Sequence, residues 1–153
     1  MQDPKELINE SIKEAKIGDY VLQITNKVIK DKKMVLSVLS HLKKSVSLSV
    51  KAFMIGEKMK GKTHNVFLSD ELLINYFIEH SFGKSLLSGE EITDLMTVFN
   101  SMKSYDLRGM ILEKNDKYMF ISDNYEIINV RFDELKRFTK IALDLAKKVE
   151  ENL

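Results

Sequence analysis

Hydrophobic residues recur at helical spacing through the N-terminal part of the chain. Asp3 and Pro4 are residue types that begin helices, Asp as the N-cap and Pro as the first helical residue. The apolar positions that follow predict a first helix of about 25 residues. Asp31 is the predicted cap of a second helix, on which an apolar stripe lies opposite a lysine stripe. The apolar stripe contains Val35, Leu39, Leu42, Val46, Val50 and Phe53, and the lysine stripe contains Lys33, Lys44, Lys51 and Lys58.

One segment of the second helix also carries a strand pattern. Residues 45–50 alternate serine with valine or leucine, which is typical of a half-buried strand. The helical stripe passes through this segment without a change of phase, so the segment is predicted to be helical. On that helix Ser45, Ser49 and Ala52 share one side, where their small size lets a neighbouring helix approach closely.

Two further helices are predicted after the lysine stripe ends. Ser69 is the predicted cap of a third helix that continues through Glu79. Ser88 and Glu91 have the spacing of a capping box and open a fourth helix. Residues 82–87, which lie between these two helices, are predicted to be irregular.

The hydrophobic period changes near Arg108 from the helical value to a value nearer 2, which indicates strands. Two short apolar runs, 110–112 and 118–121, flank Asn115-Asp116 and predict a hairpin with its turn at these two residues. A third strand is predicted over 126–130, and a last helix continues to near the C-terminus.

These elements predict a mainly α fold class. The expected architecture is a bundle of about five helices with a long antiparallel N-terminal pair. A small β meander near residues 109–130 precedes the last helix. The whole chain, residues 1–153, is predicted to form a single domain.

The composition excludes several kinds of site. The sequence has no cysteine, which rules out disulfides, cysteine zinc sites and thiol nucleophiles. Its three histidines, His41, His64 and His80, lack the spacing of metal ligands, so no metal, cofactor or catalytic residue is predicted. There is no apolar run of transmembrane length and no leader-like N-terminus, which predicts a cytoplasmic protein without a membrane partner.

The net charge of +1 conceals an uneven distribution of charge. Between Lys27 and Lys62 there are ten lysines against two acidic residues, a net of +8, so the remaining residues carry −7. Much of that negative charge lies between Asp70 and Asp106. A basic helix followed by an acidic segment is able to pair within the chain, to pair between protomers or to present a cationic face to a polyanion. Only three of the basic residues are arginine, which weakens a nucleic-acid interpretation.

One motif fits the phosphate-binding loop pattern G-x-x-x-x-G-K-[ST]. It contains Gly56, Gly61, Lys62 and Thr63. A genuine loop of this type follows a buried strand and opens a helix. The residues before Gly56 instead fit the amphipathic second helix. The alternative interpretation is therefore a helix C-terminus that ends at a glycine.

A family resemblance rests on diffuse features along most of the chain. Residues 3–12, Ala15, Asp19-Tyr20 and the helix that ends over 50–54 resemble a group of uncharacterised archaeal proteins, as does the segment 120–127 before a terminal helix. The two long helices are similar in outline to HEPN domains. HEPN ribonucleases use an arginine followed a few residues later by a histidine, whereas here every arginine lies C-terminal to every histidine. The resemblance implies a non-catalytic, dimeric member, and it transfers no active-site residue.

Three functions follow as hypotheses. The leading one is a non-enzymatic dimeric helical module that binds RNA or an acidic protein through Lys33, Lys44, Lys51 and Lys58. The first alternative is a purely structural oligomerisation protein, in which the basic helix pairs with the acidic segment 70–106. The second alternative is a nucleotide binder that uses residues 56–63.

Overall fold

A computed structural model describes residues 2–27, 31–62, 69–107 and 109–153. The described residues form six helices and a three-stranded sheet. In chain order the elements are α1 (Pro4–Lys27), α2 (Lys32–Met59), α3 (Asp70–Glu79), α4 (Ser81–Leu86), α5 (Gly89–Asp106), β1 (Met110–Lys114), β2 (Lys117–Ile121), β3 (Ile127–Arg131) and α6 (Glu134–Glu151).

α1 and α2 form the predicted antiparallel pair, and small polar residues lie at their interface. Ser11 of α1 meets Ser45 and Ser49 of α2, whereas Gly18, farther along α1, meets Leu42. The Ser11 hydroxyl donates to the Ser45 carbonyl oxygen at 2.6 Å, and the Ser45 hydroxyl donates to the Ser11 carbonyl oxygen at 2.8 Å. The segment 45–50 is therefore helical, and its small residues permit the close approach of α1.

The predicted helix starts are confirmed by their caps. The side chains of Asp31 and Ser69 accept hydrogen bonds from the amides of Lys33 and Leu72, and Ser88 and Glu91 form a capping box.

The prediction of irregular structure over 82–87 is wrong, because α4 occupies most of it. At Gly83 a Cβ atom would lie 2.6 Å from the carbonyl oxygen of Phe77, so only glycine lets α4 pack this closely against the end of α3. A helix of six residues is too short to show hydrophobic periodicity in the sequence.

The three strands form an antiparallel meander in the order β1-β2-β3, as predicted. Asn115 and Asp116 connect β1 to β2 with φ angles of 51° and 62°, which is the left-handed conformation of a type I′ hairpin turn. On the inner face Tyr118, Phe120 and Val130 are fully buried. Burial, together with nearby acidic residues, raises the pKa of Tyr118 to about 12.

A single cluster of buried apolar side chains draws on every helix and strand. α2 lies at its centre, because it packs against α1, α3, α5 and α6. None of the described helices is long and apolar enough to cross a membrane. Within the same residues no group of three His, Asp or Glu side chains is placed to hold a metal ion.

Candidate nucleic-acid interface

The four predicted lysines lie along one solvent edge of α2. Most of this central helix is covered by its neighbours, and Lys33, Lys44 and Lys58 are exposed while Lys51 is half-buried. The edge from Lys33 to Lys58 measures about 37 Å at the helical rise of 1.5 Å per residue. We call these four residues the lysine edge.

Lys44, in the middle of the lysine edge, is paired with acidic residues of α1. Its Nζ lies 3.2 Å from Glu14 Oε1 and 3.8 Å from Glu10 Oε1. Glu14 Oε2 lies 2.6 Å from His41 Nδ1. Burial favours a higher pKa for Glu14, but the hydrogen bonds from His41 and Lys44 outweigh it and hold the pKa below its ordinary value. The lysine edge is therefore partly neutralised at its centre.

The other three lysines of the lysine edge are more available to a ligand than Lys44 is. Lys33, Lys51 and Lys58 form no ion pair with any residue in the described part of the chain. The neighbouring Lys43 reaches the acidic segment, since its Nζ lies 3.7 Å from Asp106 Oδ2. Basic and acidic parts of the sequence thus pair within the chain at this point.

The phosphate-loop motif lies at the C-terminus of α2. Gly61 has a φ of 75°. The amide of Gly61 donates to the carbonyl oxygen of Lys58 at 3.0 Å, and the amide of Lys62 donates to the carbonyl oxygen of Glu57 at 2.9 Å. These are the two bonds of a Schellman motif, in which a left-handed glycine ends a helix. The amides that would cradle a phosphate are bound to helix carbonyls instead.

The lysine side chains near this motif are held by Glu57, which is buried. Lys62 Nζ lies 3.7 Å from one carboxylate oxygen of Glu57, and Lys60 Nζ lies 3.6 Å from the other. Thr63 lies outside the described residues. The geometry of Gly56 to Lys62 therefore favours the helix-terminus interpretation.

A second basic surface lies on the sheet. Lys114 of β1 is directly opposite Lys117 of β2, and Lys117 is directly opposite Arg131 of β3. We call these three residues the basic row. Paired Cα atoms in an antiparallel sheet are about 5 Å apart, so the Cα atoms of these three residues lie within about 10 Å of one another. Like charges directly opposite each other destabilise a sheet.

The basic row borders a groove that α6 and α1 complete. Lys136 of α6 and Leu22 of α1 line it together with the basic row, Asn115, Asp116, Asn129 and residues 132–134. The two acidic residues at the start of α6 are already engaged: Asp133 lies 3.5 Å from Arg131 Nε, and Glu134 accepts from the Arg131 amide at 2.9 Å. Lys114, Lys117 and Lys136 form no ion pair with any described residue. The groove therefore brings together Lys114, Lys117 and Lys136 as cations without an ion pair, and its lining also includes Asp116.

The solvent side of the sheet, which we call the sheet face, continues beyond the basic row. The next row across the strands is Leu112, Met119 and Asn129, and the row after it is Met110, Ile121 and Ile127. Leu112, Met110 and Ile127 are about half exposed, at 49%, 57% and 54%. The sheet face is therefore basic at one end and mainly apolar across the next two rows, in which Asn129 is the polar residue.

The basic row was not predicted, although part of its signal is in the sequence. A two-residue turn at Asn115-Asp116 places Lys114 opposite Lys117 by geometry alone. Arg131 joins the row only through the register of β2 with β3, and Lys136 only through the packing of α6. His64 lies outside the described residues, and His80 stacks on Tyr76 with ring centroids 3.8 Å apart.

The chain matches no family model, no curated protein and no solved structure. The resemblance to HEPN domains and to archaeal proteins therefore stays a prediction.

Proposed function

We propose that this protein is a non-enzymatic binding module that contacts RNA through its phosphates, with the groove beside the basic row as the main contact. The observation that carries the proposal is the register of Lys114, Lys117 and Arg131. Lys114 and Lys117 repel each other across the strands, whereas Arg131 beside them is paired with Asp133 at 3.5 Å. A phosphate bound between the two lysines would relieve their repulsion.

The lysine edge extends this surface at one end of the molecule. α1, whose Leu22 lines the groove, ends at Lys27, and α2 begins at Lys32 with Asp31 as its cap. Lys33 is two residues beyond Asp31. An RNA strand that leaves the groove can therefore continue along α2 towards Lys51 and Lys58.

Lysine contacts to phosphate predict weak sequence preference and a strong dependence on salt. For about four phosphate contacts on a single strand, the affinity should fall about 50-fold between roughly 50 mM and 200 mM salt. Fluorescence anisotropy with a labelled RNA measures both the affinity and this slope.

Charge-reversal variants identify the surface that binds. The pair Lys114→Glu and Lys117→Glu should lower RNA affinity by more than about tenfold, and Lys51→Glu with Lys58→Glu should lower it less. A matched control is Lys5→Glu with Lys147→Glu, which makes the same change in net charge at exposed positions away from the groove. Equal losses in all three variants would show a general charge effect, and absence of binding by the unaltered protein at low salt would refute the proposal.

A structural oligomerisation protein is the second candidate, and the charge pattern of the sheet favours it. The turn between β2 and β3 carries Asp123 and Glu126, at the opposite end from the basic row. A second copy related by a two-fold axis would place each basic row over its partner's acidic turn. Light scattering on the unaltered protein and on the Lys117→Glu variant tests this candidate, which requires a dimer that the substitution dissociates.

A further inference from the structure

We infer that the sheet face binds a single-stranded segment of RNA, with a base lying on Leu112 and Met119 beside the amide of Asn129. The inference rests on the proposed function, because the phosphate of the same nucleotide would occupy the basic row. It adds that the bound RNA is single-stranded and that the protein contacts a base as well as a phosphate.

The spacing of the rows supports this placement. Successive outward-facing rows are two residues apart along each strand, which is about 7 Å. The phosphate and the base of one nucleotide are separated by a sugar, a distance of the same order. A phosphate on Lys117 therefore brings its base to Met119, the next outward residue of β2.

The chemistry of the middle row suits an unpaired base. Leu112 and Met119 offer an apolar surface to the face of the ring, while the exposed amide of Asn129 has both donors and acceptors for its edge. A base in a duplex is stacked and paired, so neither of its faces reaches such a surface. Beyond the apolar rows, Asp123 and Glu126 repel phosphate, which keeps the RNA backbone along the basic row.

The area of the sheet face also favours RNA over a second copy of the protein as its ligand. Three strands of five residues measure roughly 14 by 17 Å, or about 240 Å², from the spacing and rise of β-strands. A stable protein interface buries about 800 Å² on each partner. A dimer through the sheet face would therefore need contacts beyond it, whereas a few nucleotides fit on it.

The test compares one RNA sequence of about 12 nucleotides as a labelled single strand and as a duplex with its complement. The Leu112→Ser variant should bind the single strand about fivefold more weakly and the duplex unchanged. Leu72→Ser is the matched control, since Leu72 of α3 is similarly exposed at 56%. The Lys114→Glu, Lys117→Glu variant should weaken both forms, and circular dichroism checks that each variant is folded.

The outcomes distinguish the two proposals. Equal effects of Leu112→Ser on both RNA forms, or no effect on either, overturn the inference and leave RNA binding through the basic row standing. Failure of the unaltered protein to bind either form overturns the proposed function itself. If light scattering shows a dimer that Leu112→Ser dissociates while RNA affinity is unchanged, the sheet face is a self-association surface and the inference is wrong.

Discussion

Reversing the central charge of the basic row should stabilise the folded protein while weakening the proposed binding to RNA. Lys117 is opposite Lys114 on one side and opposite Arg131 on the other. Lys117→Glu therefore converts the repulsive pair with Lys114 into an attractive one, while its attraction to Arg131 is offset by Asp133, which lies 3.5 Å from Arg131. Higher stability together with weaker binding is the combination expected of a residue that serves binding. At a residue that serves only the fold, a stabilising change usually leaves binding intact.

The size of the gain follows from the cross-strand distance. Two unit charges about 6 Å apart in water interact by about 0.7 kcal/mol, and physiological salt reduces this to about 0.3 kcal/mol. Changing the sign of the pair with Lys114 gives about 0.6 kcal/mol, which lies within the range measured for cross-strand pairs. In a domain of this size the melting temperature should rise by about 1–3 °C.

Urea unfolding followed by circular dichroism measures this gain at two salt concentrations. The stabilisation should fall to about half when the salt is raised from about 0.15 M to 0.5 M, because the charges are screened. Lys117→Gln, which removes the charge without reversing it, should give about half the gain. A Lys117→Glu variant that is less stable than the unaltered protein, or whose gain does not depend on salt, would refute the electrostatic account of the basic row.

Three further predictions concern the helices. Ser11→Ala should destabilise the fold by about 1–3 kcal/mol in urea unfolding, because the buried hydroxyl of Ser49, 2.6 Å from that of Ser11, loses its partner. The depressed pKa of Glu14 contributes stability above the ordinary value of 4.5 that is lost as the pH falls through the folded-state value, so acid should destabilise the unaltered protein more than Glu14→Gln. Gly61→Ala should lower stability by about 1 kcal/mol in thermal unfolding, since a φ of 75° is strained for alanine.

Each of these predictions has a clear contrary result. Unchanged stability of Ser11→Ala would mean that the serine cluster contributes nothing to the α1–α2 interface. An equal loss on acidification in Glu14→Gln would assign the pH dependence to other carboxyl groups. Gly89→Ala is the control for Gly61→Ala, because Gly89 has a negative φ and open space around it, and only the Gly61 variant should be less stable.

The helical framework was predictable because its signals are local. The cap at Asp31 and the stripe from Val35 to Phe53 lie within one helix, so periodicity alone locates α2. The strand-like alternation over 45–50 did not prevent the correct prediction of a helix, because the helical phase is continuous across it. α4 was not predicted, because six residues are too few to show the hydrophobic period of a helix.

The candidate site was less predictable because it depends on contacts between elements. Lys44 lies on the predicted edge, but its pairing with Glu14 requires the register of α1 against α2. The basic row needs two strand registers at once, and no single helix or strand contains it. Periodicity therefore identified which residues are exposed, whereas tertiary packing determines which charges remain available.

The left-handed turn at Asn115 and Asp116 makes the hairpin intolerant of changes in length. Side chains alternate between the faces of a strand, so a register slip of one residue would exchange the two faces of β1 relative to β2. Lys114 and Leu112 would turn towards the core, and Ile111 would turn towards solvent. An insertion at this turn would therefore abolish the fold of the meander and its basic surface together, and homologous chains that use this surface should keep the turn at two residues.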